Sequence, residues 1–189
     1  MLVKRILSIV LLIAASVGAY YVYAEIKVYS NNYKMIVNAD DKVIDRLKKI
    51  RIAQKGYYAV NQNYAGEWDQ LITFIEKGEF PIIQTKESIL QDSKGKDSSV
   101  FQIDTIARVA VYDSIGHKLG FRKADLKELM MTPDSRKPFT LEVDVDELEL
   151  PTLMVTDPDP LNPRRLDGGD LKPLKFGSLE TTTLKGSWE

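Results

Sequence analysis

The chain has 189 residues, enough for one domain of ordinary size and an anchor. Hydrophobic residues make up 44% and charged residues 28%, the balance of a folding chain, and a net charge of −1 supplies no field to hold nucleic acid. Cysteine is absent, which excludes disulfides, thiolate metal sites and cysteine nucleophiles, so packing alone must hold the fold.

From Ile6 to Ala24 the sequence carries no charge. At 1.5 Å per residue such a helix just crosses a hydrocarbon layer of roughly 30 Å. Lys4 and Arg5 precede the run, so the positive-inside tendency predicts a cytoplasmic tip over residues 1–5, a single span over 6–24 and an exported remainder. That is the topology of a single-pass inner-membrane protein with a periplasmic domain. Tyr20, Tyr21 and Tyr23 suit the outer interface, where amphipathic rings settle. The same residues also fit a secretory signal peptide, with Val22-Tyr23-Ala24 as its cleavage site; the length of the apolar run and its tyrosines favour the anchor. Both readings export the globular part.

Residues 25–39 carry three asparagines and several β-branched residues, and are expected to continue the span as one helix or with a brief kink. Asp40 and Asp41 then open an amphipathic helix, since acids are favoured at a helix N-terminus, with Val43, Leu47, Ile50 and Tyr57 along one face. Gly56 and the segment from Asn61 to Gly66 mark its end. A short helix follows with Trp68, Leu71, Ile72 and Ile75 inward and Gly78 as its stop, so residues 25–80 form a helical section.

Beyond Pro81 the period changes to two. Pro81 to Ile83, Val100 to Val111 and Phe139 to Leu150 read as strands, separated by a polar loop at Asp92 to Ser99 and a short helix or turn at Ala124 to Met130. Residues 81–150 are therefore a small, mainly antiparallel sheet domain, and the fold class is α+β. Residues 151–189, rich in Pro, Gly and Asp, read as an extended wrap or added edge strand. Leu171, Leu174, Phe176, Leu179 and Trp188 argue that this segment is tacked onto a surface.

A long N-terminal helix, apolar then amphipathic, closed by Tyr57-Tyr58 with Asn61, Asn63 and Tyr64 and followed by a sheet, resembles the type IV pilin and type II secretion pseudopilin plan. The resemblance covers the first third of the chain and implies a structural subunit of an envelope machine. It does not extend to the prepilin cleavage pattern or to an acid within the apolar run, both of which are missing, so it implies no prepilin processing. Tyr57 to Gly78, with the ending GSLETTTLKGSWE, is also similar to a group of Bacteroidota envelope proteins, which implies a lineage and no activity.

Little in the sequence points to catalysis. The single histidine, His117, lies in a polar stretch read as a solvated loop, and no phosphate loop, HExxH or GxSxG string occurs. Asp157, Asp159, Asp167 and Asp170 could supply oxygens to calcium, the one cofactor considered, although Arg164 and Arg165 sit among them as ready partners and Asp-Pro pairs commonly begin turns. The charge pattern is more asymmetric. Lys48, Lys49 and Arg51 belong to a basic helix, whereas Glu142, Asp144 and Asp146 lie in a segment without a base. Two solvated faces would account for this; so would complementary contact between copies or partners, and anionic headgroups are a weaker match for the basic face at that distance from the span. Phe176 and Trp188 join the interface candidates. The expectation is a non-enzymatic, membrane-anchored assembly subunit of a secretion- or pilus-like envelope complex, with other envelope proteins or copies of itself as partners. The alternative is a periplasmic module binding a ligand or polymer, with calcium. A carboxylate-only hydrolase would need an aromatic cleft, and tryptophan is limited to Trp68 and Trp188.

Overall fold

The structure, a computed structural model, describes the backbone of residues 2–91 and 97–189 and, within these, the side chains outside 2–5, 7, 8, 10 and 87–102. Residues 92–96 of the expected polar loop lie outside the described residues.

Helix α1 runs unbroken from Leu2 to Asn61, 60 residues. At 1.5 Å per residue it is about 90 Å long. It is long and apolar enough to cross a membrane, and there the rest of the chain does not cover it. The asparagines of residues 25–39 do not interrupt it. From Ala39 onward the same helix becomes the spine of the domain, burying Val43, Leu47, Ile50, Ala53 and Gln54. Burying each Leu or Ile contributes roughly 1.5–3 kcal/mol, so tertiary packing, more than propensity, holds this end of α1. The Gln54 amide is paired through both its nitrogen and its oxygen. Its Nε2 donates to the Ala65 carbonyl and its Oε1 accepts from the Ala65 N–H, both at 3.0 Å, which pins the loop after α1 against the helix.

Gly56 does not end α1, contrary to the sequence reading. It stays helical, and a Cβ there would lie 3.1 Å from the Phe80 ring, so the glycine makes room for close packing. Helix α2 (Trp68–Lys77) buries Leu71, Ile72 and Ile75, and Trp68 donates its Nε1–H to the Phe139 carbonyl at 3.1 Å.

Strands β1 (Glu79–Gln91) and β2 (Asp97–Ala110) pair antiparallel as a two-stranded sheet, far longer than the Pro81–Ile83 segment read from sequence. The strand read as Val100 to Val111 stops at Ala110, and Val111–Leu119 forms helix α3, which the sequence reading missed. A 3-10 helix at Lys123–Met130 buries Leu126 and Leu129, matching the short helix or turn expected there.

The second sheet contains β3 (Thr140–Val145), β4 (Pro151–Thr156) and β5 (Lys175–Ser178), antiparallel in the order β3-β4-β5. Two expectations are corrected here. The strand read through Leu150 ends at Val145, and a turn closed by Asp146 N–H to the Leu150 carbonyl, 2.9 Å, reverses the chain. Pro151, read as the start of a wrap, instead opens the central strand. It sits at the first position, opposite Val145, where a missing N–H costs least. Leu153 and Val155 of β4, with Leu174 and Phe176, pack with α1, α2 and the 3-10 helix into one core.

Candidate functional site

The C-terminal segment closes on its own domain. Phe176 is fully buried and Trp188 packs at the edge of the core. Gly177, at φ +84°, makes the crossing possible: a Cβ there would fall 1.9 Å from the Leu153 carbonyl oxygen. Arg51 on α1 donates to the Leu184 carbonyl at 3.1 Å and to the Glu189 carboxylate at 2.8 Å, and its guanidinium lies 5.7 Å from the Trp188 ring centroid. Glu189 is held below the usual carboxylate range, first by its hydrogen bond from Arg51 and then by the Gly186 N–H. Arg51, Phe176 and Trp188, expected at an interface, thus form an internal clasp.

The remaining basic candidates divide. Lys49 pairs with Asp45 at 2.8 Å and lies 5.4 Å from the Phe121 ring centroid, while Lys48 is exposed. Arg46, one more charge of that basic helix, turns inward and donates to the carbonyls of Glu128 and, at 2.9 Å, Met131, stitching α1 to the end of the 3-10 helix. Burial lowers the pKa of this guanidinium, opposed by the Glu128 and Asp45 charges. Nothing near position 46 in sequence identifies those partners, since they lie more than eighty residues away.

Glu142 and Asp144 are exposed on β3, which is an edge of its sheet. Acids on an exposed edge oppose pairing with another strand. Asp146 acts locally. Its Oδ1 accepts from the N–H groups of Leu148 and Leu150, both at 2.9 Å, and caps the β3–β4 turn.

The four aspartates considered for calcium are not gathered into a cation site; among the described residues no group of three or more acids or histidines could hold a metal. Asp159 bonds Lys137 at 3.0 Å and Asp170 accepts from Arg164 Nε at 2.9 Å, which lowers its pKa. Asp167 is exposed. Asp157 is 3% exposed and accepts from the Asp159 N–H at 3.1 Å. Burial pushes its pKa up; that hydrogen bond opposes the shift, and the charges of Asp159, Asp40 and Asp134 add to it. Three of the four are thus engaged, Asp159 by Lys137, Asp170 by Arg164 and Asp157 by a backbone N–H. His117 is exposed on α3 rather than in a loop. As a group in the last turn it suits the negative end of the helix dipole.

Two surfaces the sequence reading did not single out remain uncovered. The first is the β1–β2 ribbon. Its root is fixed by Phe80, whose ring sits 5.9 Å from Phe74, itself 5.1 Å from Tyr57. Further out, Ile83, Ile103 and Ile106 are 56%, 63% and 60% exposed. Register places Ile83 and Ile103 on one face, because Thr85, two residues from Ile83, is the partner of Ile103. Ile106 is the extra residue of a bulge between the Ile82 and Ile83 pairs. The second surface is a cleft of about 380 Å³ between α1 at Tyr29, Tyr33, Ile36 and Val37 and the loop carrying Asn162, Arg164 and Leu171. Asp40 closes its upper end by accepting from Asn162 at 3.0 Å and Arg165 at 2.9 Å.

Comparison with family models, curated proteins and solved structures finds no match for this chain.

Proposed function

We propose that the chain is a non-enzymatic assembly subunit of a bacterial envelope complex of the secretion or pilus kind. In this reading residues 6–24 lie in the inner membrane, the N-terminus is cytoplasmic and the domain stands in the periplasm. The observation that carries the reading is the β1–β2 ribbon. A two-stranded ribbon is marginally stable in water by itself, and burying one isoleucine contributes roughly 1.5–3 kcal/mol, so exposed isoleucines along a projecting arm favour a surface that receives it. Three of the four acids considered for calcium are engaged by lysine, arginine and backbone donors, which weakens the case for a calcium-dependent binding module.

The test replaces Ile83 and Ile103 together by lysine in the full-length chain. Both side chains are exposed, so the melting temperature should stay within a degree or two of the parent, about what a surface substitution causes. The complex extracted from native membranes should fall apart, read as a loss of size on a native gel and of its co-migrating proteins. An unchanged complex would overturn the reading.

A further inference from the structure

The cleft between α1 and the loop of residues 162–171 encloses about 380 Å³ between two apolar walls, with Tyr33, Ile36 and Val37 on the helix and Pro163 and Leu171 on the loop. Pockets that hold a small ligand have this size and this make-up, apolar walls with a few polar groups. Its two ends differ. Above, the hydrogen bonds from Asn162 and Arg165 to Asp40 tie the loop to the helix and shut the cleft. Below, Tyr29 is 75% and Tyr33 57% exposed, so it opens on the side of the apolar run.

The height, depth and polarity of this cleft match a bilayer lipid. With residues 6–24 in the membrane and α1 upright, Tyr29 lies about 7.5 Å above the end of the span, and the headgroup layer on each face of a bilayer is about 5–8 Å deep. The mouth therefore stands at the headgroup surface. From Tyr29 to Asp40 α1 rises about 16 Å, and one leaflet of a roughly 30 Å hydrocarbon core, the reach of one extended acyl chain, is about 15 Å. Arg164 lines the cleft, and its pKa is raised first by its hydrogen bonds to Asp170 and less by the Tyr33 and Tyr29 hydroxyls, in keeping with a guanidinium near the mouth. It donates to Asp170 through Nε and Nη2. A guanidinium has five N–H donors, so others remain for a phosphate oxygen, and the tyrosine hydroxyls can add to them.

We infer that the cleft binds a phospholipid of the bilayer surface, with one acyl chain turned upward between helix and loop and the phosphate at Arg164, Tyr29 and Tyr33. The chain passes from one apolar surrounding to another, and the walls it covers are withdrawn from water. Because the upper end is shut, the membrane side is the entry. The inference goes beyond the assembly reading and rests on it only for the placement of residues 6–24 in the membrane.

To test it, the full-length protein is reconstituted into vesicles of phosphatidylethanolamine and phosphatidylglycerol containing a phospholipid with a photoreactive diazirine at the end of one acyl chain. After illumination, adducts are mapped by mass spectrometry. Within the bilayer that group labels residues 6–24. Adducts at Ile36, Val37 or Leu171 are the expected sign of cleft binding, since Val37 lies about 20 Å above the span, beyond the reach of chain ends that stay in the bilayer. Leu171→Trp, which fills the cleft, and Arg164→Gln, which removes the charge, should each lower the cleft adducts severalfold, while the span adducts and the melting temperature stay as in the parent. Adducts confined to residues 6–24 would overturn the inference and leave the membrane placement intact; their absence from residues 6–24 would sink the placement and the inference with it. Cleft adducts undiminished in both variants, or stronger with a diazirine-bearing free fatty acid than with the phospholipid, would overturn the phospholipid as occupant. The lysine variants of the β1–β2 ribbon leave the cleft untouched and should label like the parent, so loss of the complex and loss of lipid are read separately.

Discussion

Asp157 is a carboxylate buried beside the charges of Asp159, Asp40 and Asp134. Its folded pKa is raised above the ordinary value of 3.8, so the native state binds a proton more tightly than the unfolded chain does. This group's contribution to stability is therefore most favourable in acid, and is lost as pH rises from that ordinary value through the folded pKa. Asp157→Asn keeps an oxygen for the Asp159 N–H and removes the charge. The variant should be at least as stable as the parent at pH 7, with an advantage that shrinks toward zero as the pH is lowered below the ordinary carboxylate range. Denaturant melts of both proteins at several pH values test this, and an advantage independent of pH would be inconsistent with burial of the charged form.

At the scale of elements, β5 and the segment after it decide whether the C-terminus belongs to the core. Phe176→Ala should cost about 3–5 kcal/mol, a large part of the 5–15 kcal/mol that holds an ordinary domain. Glu189→Ala, which removes an exposed acceptor shared by Arg51 and the Gly186 N–H, should change the denaturation midpoint little. Equal effects would place the segment's anchorage in the ion pair and not in the ring. What the sequence disclosed about these elements follows their physics. Val43, Leu47 and Ile50 were legible because a helical period repeats locally, and the charge-free run of α1 is a feature of composition alone. Helix α3 was not, because β-branched Val109 and Val111 continue the strand pattern of β2 and Gly116 argues against a helix. Strand β4 was hidden behind Pro151, whose place at the first residue of a central strand depends on register, a long-range property. The partners of Arg51 were equally invisible: Leu184 and Glu189 meet it only once the chain has folded, so its charge suggested a foreign partner.

For the whole molecule, the uncharged run of α1 with Lys4 and Arg5 before it predicts one orientation. A reporter that works only outside the cytoplasm, fused after Glu189, should be active, and its cytoplasmic counterpart silent; the opposite pattern would reverse the proposed topology. The mass of the mature protein distinguishes anchor from signal peptide, since loss of residues 1–24 would leave no span. The α+β architecture was readable at this scale because each half has its own period, while the uncovered faces of the ribbon and of lower α1 emerge only once the rest of the surface has been accounted for.

One unbroken helix carries both the run apolar enough to cross a membrane and the spine of the core, which sets a height. From Ala24 to Gly56, where Phe80 roots the ribbon, α1 rises about 48 Å at 1.5 Å per residue. With residues 6–24 in lipid and the helix upright, the arm leaves the domain at that altitude above the bilayer, and no flexible linker lets it sag. On the proposed assembly reading, a surface that receives the arm would have to stand as tall or hang from an opposite membrane, so stature would select partners before any side chain is read. Inserting residues into the stalk below Asp40 would change that altitude stepwise, by about 5.4 Å for each added turn, and swing the arm around the helix axis whenever the insertion is not a whole turn.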